Sequence, residues 1–369
     1  MSAAIPRTRR VATALALTGV LALTSAACDL RLETPTPTEP TRTAAELLRS
    51  RAVDDALTLE QAARTARATA AGTAAAVAPV LDDVAAFSAA HVAALGGVYS
   101  SGLHPSPSST PTADATGPTS TPADVLAVLA SSAADALGTA DSVPDGGMAR
   151  LLAAIGTARA QLAVRLATAL GAPPPAVAPR SPAPAPTATT TTAAASARPA
   201  GRPSSSTASH ATPGLSPEDL DALTVVEDQA GYGLEVVAAK LDGAGRARAL
   251  AAAREHRAAA EAWAVQAGTA ATPRDPRRAA YALPSGLRDP ATATALARRL
   301  EDAVARTDAA MVAAASPGSR GTLIANLRTA ADAAVSWGGA PVPLPGMPQQ
   351  TAPTPSPSAT AGGSPAPSA

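Results

Sequence analysis

The sequence is short of the residues that usually carry chemistry. Its 369 residues include one cysteine and one phenylalanine, and aromatics make up only 2%. With no second cysteine there is no intrachain disulfide, so core packing alone must hold any folded part together. Lysine plus arginine and aspartate plus glutamate are balanced at 29 each, for a formal net charge of zero. A nucleic-acid binder needs a basic surface or aromatic stacking platforms, and neither is present. Known catalytic signatures are missing too: HExxH, a phosphate-cradling glycine loop, a GxSxG elbow and a cysteine pair for zinc are all absent. What the chain has in quantity is alanine, which dominates a hydrophobic fraction of 46%. Alanine favours helix but buries little area per residue.

The lone cysteine, Cys28, sits in "LTSAACDLRLE". Before it come a basic stretch (Arg7, Arg9, Arg10), the apolar run "VATALALTGVLAL" and the small residues "TSAA". This is the layout of an export signal, with an apolar run too short to cross a bilayer as a helix. Placed directly after those small residues, "SAAC" resembles a bacterial lipobox, whose cysteine is diacylated and becomes the new N-terminus. Ser25 stands where that motif prefers leucine. The simpler alternative is a plain signal peptide with a chance cysteine. "TRRVAT" also resembles a twin-arginine signal, although Ala12 and Thr13 stand where apolar residues are expected. Two acyl chains would anchor the chain stably, because each buried methylene contributes about 0.8 kcal/mol.

Proline-, serine- and threonine-rich tracts divide the rest. The reading is a signal peptide over 1–27, a lipid-anchored tether over 28–43, and an N-terminal helical bundle over 44–170. A disordered linker over 171–216 follows, then a second bundle over 217–338 and a disordered tail over 339–369. The linker tract cannot bury enough apolar surface to fold. In the second bundle "SPEDL" supplies an N-cap with acids in the first turn, and Leu223, Glu227, Ala230, Leu234, Val237 and Leu241 recur at helical spacing. "DGAG" turns the chain, a Pro-containing connection spans 268–289, and "SPGSRG" turns it again. Short turn, long crossover, short turn is the connectivity of ferritin-like four-helix bundles. The N-terminal segment repeats this layout, with helices over 44–75, 80–96, 123–138 and 148–170. Its Glu60 and His91 echo Glu227 and His256.

"VVEDQAGYGLEVVAAKLDGAGRARALAAAREHRAAAEAW" and "YALPSGLRDPATATALARRLEDAVA" resemble an actinobacterial ferritin-like family of unassigned function. The resemblance rests on Glu227, Ala230, Tyr232, Gly233, His256, "YALP" at 281–284 and Glu301. It covers about 217–338.

One constellation follows for testing: Glu227, His256 and Glu301. Counted from the turn, Glu227 and His256 differ in height by about three residues, or ~4.5 Å, so they can meet. Ferritin-like di-metal sites need Glu from two helices and Glu-x-x-His from the other two. Here Ala253 stands three before His256, and the last helix offers only Asp332. A hydrogen-bonded polar pair with a neutral His256 and a metal site remain as alternatives. The N-terminal counterpart is Glu60 with His91. Tyr232, Trp263, Tyr281 and Trp337 read as core or bundle-end residues, and His104 and His210 as solvated linker positions. Together these readings predict an all-α protein of two four-helix bundles joined by a disordered linker. It would be held at the outer face of the cell membrane through Cys28, without a cofactor or nucleic acid, and would bind or scaffold rather than catalyse. Its protein or envelope partner is not named. The alternative is a ferritin-like iron or manganese protein or an oxidase.

Overall fold

In the computed structural model, residues 41–69, 75–100, 120–180 and 214–348 are described. They form eight helices and no strand, so the chain is all-α across them. The helices are α1 (Ala44–Thr69), α2 (Val77–Ala94), α3 (Pro122–Ser142) and α4 (Gly146–Leu170), then α5 (Pro217–Ala238), α6 (Gly243–Ala267), α7 (Pro290–Ala314) and α8 (Gly321–Ser336). Cys28, His104, His210 and most of the linker and tail lie outside the described residues.

The sequence sets the ends of these helices. Thr121 and Ser216 each cap a helix whose first residue is proline, and Asp124 and Asp219 return the bond to the cap's own N–H. Asp289 caps α7, again ahead of a proline. Proline suits that position because its missing N–H would have had no helical partner. The same reason moves the start of α2. A helix from residue 80, after a break at Pro79, is the sequence expectation, but α2 begins at Val77 and takes Pro79 into its first turn. Gly171 and Gly268 end α4 and α6 in the left-handed conformation.

Each half closes as two helical hairpins laid side by side. In the N-terminal half α1 packs on α2 and α3, and α4 on α2 and α3; in the C-terminal half α5 packs on α6 and α7, and α7 on α8. All eight belong to one compact unit. A second unit contributes only residues 41–43 and 99–100 to the described set, where the Arg42 guanidinium sits 4.5 Å from the centre of the Tyr99 ring.

The two bundles share a core. α4 packs against α7 and α8, and one continuous apolar cluster takes in Leu137, Leu152 and Ile155 together with Leu234, Val304 and Leu323. From Leu152 to Ala163 every residue of α4 is buried. A helix buried on all sides belongs between layers rather than at a surface. The α7–α8 turn also reaches across. The Arg320 guanidinium donates to the carbonyls of Ala140 (3.1 Å) and Val143 (2.6 Å), which close α3, and to Ala315 (3.0 Å) in its own turn. Its backbone N–H donates to Asp141 Oδ1 at 2.7 Å.

Two boundaries differ from the sequence reading. Residues 171–180, expected in the linker, run back along the fold: the Arg180 N–H donates to the Ala134 carbonyl (3.0 Å), and Val177 accepts from Arg328 (2.9 Å). Residues 339–348, expected in the tail, also pack back. Leu344 joins the shared core, and the Gly346 carbonyl accepts from Arg150 at 3.2 Å. Such stretches hold few large side chains, but their free carbonyls satisfy donors that the helices bury.

Candidate functional site

Glu227 on α5, His256 on α6 and Glu301 on α7 are brought together. His256 Nδ1 lies 2.6 Å from Glu227 Oε2, and Nε2 lies 3.3 Å from Glu301 Oε2. The two carboxylate side chains are 4% and 2% exposed and the imidazole 13%. Because a carboxylate can only accept, an imidazole bonded at both nitrogens must donate from both. Burial alone would push His256 down. The hydrogen bonds to Glu227 and Glu301 and the attraction of both charges outweigh it and carry the imidazole up to about 10. His256 is therefore an imidazolium at neutral pH, which corrects the expectation of a neutral ring.

The helix α7 brings a further buried acid that sequence reading missed. Asp308, 0% exposed, has no hydrogen bond of normal geometry at either carboxyl oxygen. Burial first, then the Glu227 charge, push it well above the ordinary carboxylate range, against the smaller pull of His256 and the nearby Asn326 amide. Both effects favour the protonated, neutral form of Asp308.

Beside the histidine clasp runs a second network, also unanticipated. Asp228, next to Glu227, accepts from Arg257, next to His256. It also accepts the Arg278 N–H (3.1 Å) and the Tyr281 hydroxyl (2.7 Å). Arg257 in turn donates to Glu235 at 3.0 and 3.1 Å. The Tyr281 ring leans on Tyr232 at 5.9 Å between centres. Burial, then the hydrogen bond to Asp228 and its charge, push the Tyr281 hydroxyl up to about 12. The glycines of "QAGYG" are spacers. A β-carbon on Gly231 would lie 2.9 Å from the Arg257 side chain, and one on Gly233 would lie 2.5 Å from Leu300. The signal for Asp228 was in the sequence: adjacent acids on α5 face an adjacent His–Arg pair on α6.

Glu60 and His91 are not brought together. Glu60 pairs with Arg64 on the surface of α1 at 2.5 Å. His91 is 1% exposed, and its Nε2 lies 2.8 Å from the Pro343 carbonyl, a residue of the segment after α8. A carbonyl accepts only, so Nε2 carries the proton and Nδ1 is left without a partner. Burial, reinforced by the Arg159 charge, lowers this imidazole to about 3. The expected pair fails because Glu60 follows the buried Leu59 and is turned about 100° away from the core stripe. Trp263 and Trp337 are buried as expected, with the Arg248 guanidinium 3.7 Å above the Trp337 ring.

Iron or manganese would need open carboxylate and imidazole donors. In the clasp both imidazole nitrogens are directed at the two carboxylates, and Asp332, the acid of α8, accepts from Gln161 at 3.0 Å instead. Among the described residues no group of three or more His, Cys, Asp or Glu side chains is arranged to hold a metal ion. These residues do not fit a di-metal centre. They fit a proton-bridged clasp tying α5, α6 and α7 together.

No curated protein and no solved structure matches the chain. The stretch that carries both networks does match a protein-family model: residues 220–349 correspond to the family described as Domain of unknown function (DUF4439).

Proposed function

We propose that this is an exported cell-envelope protein, anchored at the outer face of the membrane through a lipidated Cys28, that works by binding or scaffolding and not by catalysis. The observation that carries the non-catalytic reading is the clasp. His256 holds Glu227 and Glu301 at 2.6 and 3.3 Å, so the most chemically equipped cluster spends its donors and acceptors on itself. The anchoring reading is supported by the lipobox-like "SAAC" that ends at Cys28. The ferritin-like layout, hairpin beside hairpin with a long crossover, is read as fold alone, because function resides in sites.

Two measurements test this. Cys28→Ser expressed in the native host should move the protein from the detergent phase to the aqueous phase of a phase-partition extraction. Identical partitioning of the two forms would remove the anchor. Protein from cells grown with iron and manganese should carry no stoichiometric metal by mass spectrometry. Stoichiometric metal that vanishes in Glu227→Gln/Glu301→Gln would overturn the non-catalytic reading in favour of an iron or manganese protein.

A further inference from the structure

A cavity of about 370 Å³ opens between α1, α3 and α4, far along the chain from the clasp. That is within the size range of small-molecule sites, roughly 300–1,000 Å³. Leu48, Ala52, Ala136 and Leu152 give it apolar walls. Its floor is Arg159, a cation on the stretch of α4 that is buried all round, with a side chain 1% exposed.

Arg159 is poorly satisfied. Its Nη1 reaches the Ser132 carbonyl only at 3.4 Å and the Asp55 carboxylate only at 3.9 Å, beyond hydrogen-bond range. Nε and Nη2 have no hydrogen-bond partner among the described residues. Desolvating a guanidinium and leaving its donors unused is among the costliest arrangements a core can hold. Asp55 is a distant counter-ion, and with its side chain 49% exposed water competes for it. Arg51 and Arg180 also line the cavity, and Arg180 is already paired with Asp135 at 2.6 Å. Three guanidiniums against two carboxylates leave the cavity one positive charge in excess.

The geometry points to a ligand site for a small monocarboxylic acid with an apolar body, its carboxylate facing Arg159 and Arg51 and its hydrocarbon against Leu48, Ala136 and Leu152. A planar carboxylate matches the guanidinium fork. A single negative charge neutralises the excess, whereas a dianion would overshoot it beside Asp55 and Asp135. The apolar walls give a hydrocarbon body its affinity. This goes beyond the function proposed above, and its failure would leave the anchor and the clasp untouched.

The test is calorimetric titration of the full-length Cys28→Ser chain with sodium octanoate, and with octanol and inorganic phosphate as probes lacking the charge or the chain. Octanoate should bind saturably at one site per chain, at least about tenfold more tightly than either control, which is the weight of one charge-assisted hydrogen bond. Arg159→Met should weaken it about tenfold or more. Thr139 on α3 also lines the cavity; Thr139→Trp, which fills it without removing a charge, should do the same and keeps the test decisive if Arg159→Met fails to fold. No saturable octanoate binding at millimolar concentration would overturn the site. So would affinity unchanged in Thr139→Trp, or phosphate binding as tightly as octanoate.

Discussion

Two histidines, His91 buried and His256 largely so, are held here in different charge states, and their partners decide which. His256 meets two carboxylates and is held up to about 10, against an ordinary 6.5. In the unfolded chain it loses its proton above 6.5, whereas in the folded chain it keeps it. Its contribution is therefore complete below 6.5 and is lost as pH rises towards 10. Urea unfolding from pH 7 to 10 should show a falling free energy whose slope shrinks in Glu227→Gln/Glu301→Gln. A slope identical in the two proteins would refute the clasp. His256→Leu leaves two buried carboxylates facing each other and should cost about 3–5 kcal/mol. His91 has the opposite sign. It meets a carbonyl and the Arg159 charge, and is held down to about 3. Acidification from 6.5 towards 3 protonates the unfolded chain first, so stability falls by up to about 1.4 kcal/mol per pH unit. Asp308, whose proton is held more tightly in the fold, opposes this above 3.8. The readout is therefore the difference between wild type and His91→Gln, which should narrow as pH falls through that window.

At the scale of elements, the turn between α7 and α8 acts as a cap for α3. A helix leaves its last carbonyls without partners, and here Arg320 reaches from the other bundle to supply donors to Ala140 and Val143. Arg320 is 1% exposed, so water cannot replace it. Arg320→Met should destabilise by about 2–4 kcal/mol, because it strands buried carbonyls at three positions. A loss below about 0.5 kcal/mol in chemical unfolding would mean that the carbonyls find other donors. Gly138 on α3 sets two principles against each other. Alanine should stabilise a helix interior by about 1 kcal/mol relative to glycine. A β-carbon there would sit 1.6 Å from the Arg180 carbonyl oxygen, an impossible approach. The steric term must win, so Gly138→Ala should lift Arg180 off α3 and make the chain cleavable by trypsin there. Unchanged proteolysis would show that this segment does not rest on α3.

Taken whole, the molecule has two bundles by topology and one core by packing. α4 is shared between them, and the segments after α4 and α8 each cross from one half to the other. The two halves should therefore unfold together. Both tryptophans, Trp263 and Trp337, lie in the C-terminal bundle, so their fluorescence reports on that bundle while far-UV circular dichroism reports on all helices. The two signals should give one coincident thermal transition. Residues 214–348 alone should melt well below the full chain, because removing α4 uncovers the faces of α7 and α8 that pack against it. Two separated transitions would return the molecule to a pair of independent domains.

Local chemistry was legible in the sequence. Cap residues before proline, glycines after the last turn and apolar spacing place the helices, because each acts within a few residues. The meeting of Glu227 and His256 was legible for the same reason: two helices joined by a short turn fix the height of each residue. Glu301 required the third helix to be placed and was reached through a family resemblance. The charge on His256 was not legible, since it depends on two carboxylates arriving at once from α5 and α7. The Glu60–His91 echo was equally regular in sequence, but the fold sends one to the surface and the other to the carbonyl of a residue 252 positions away. Nothing in the local sequence around Arg159 or Arg320 marks either one as buried. Packing of α4 among its N-terminal neighbours surrounds Arg159, and packing of one bundle on the other buries Arg320; alanine and glycine leave room for helices to approach but carry no sign of which helix will do so.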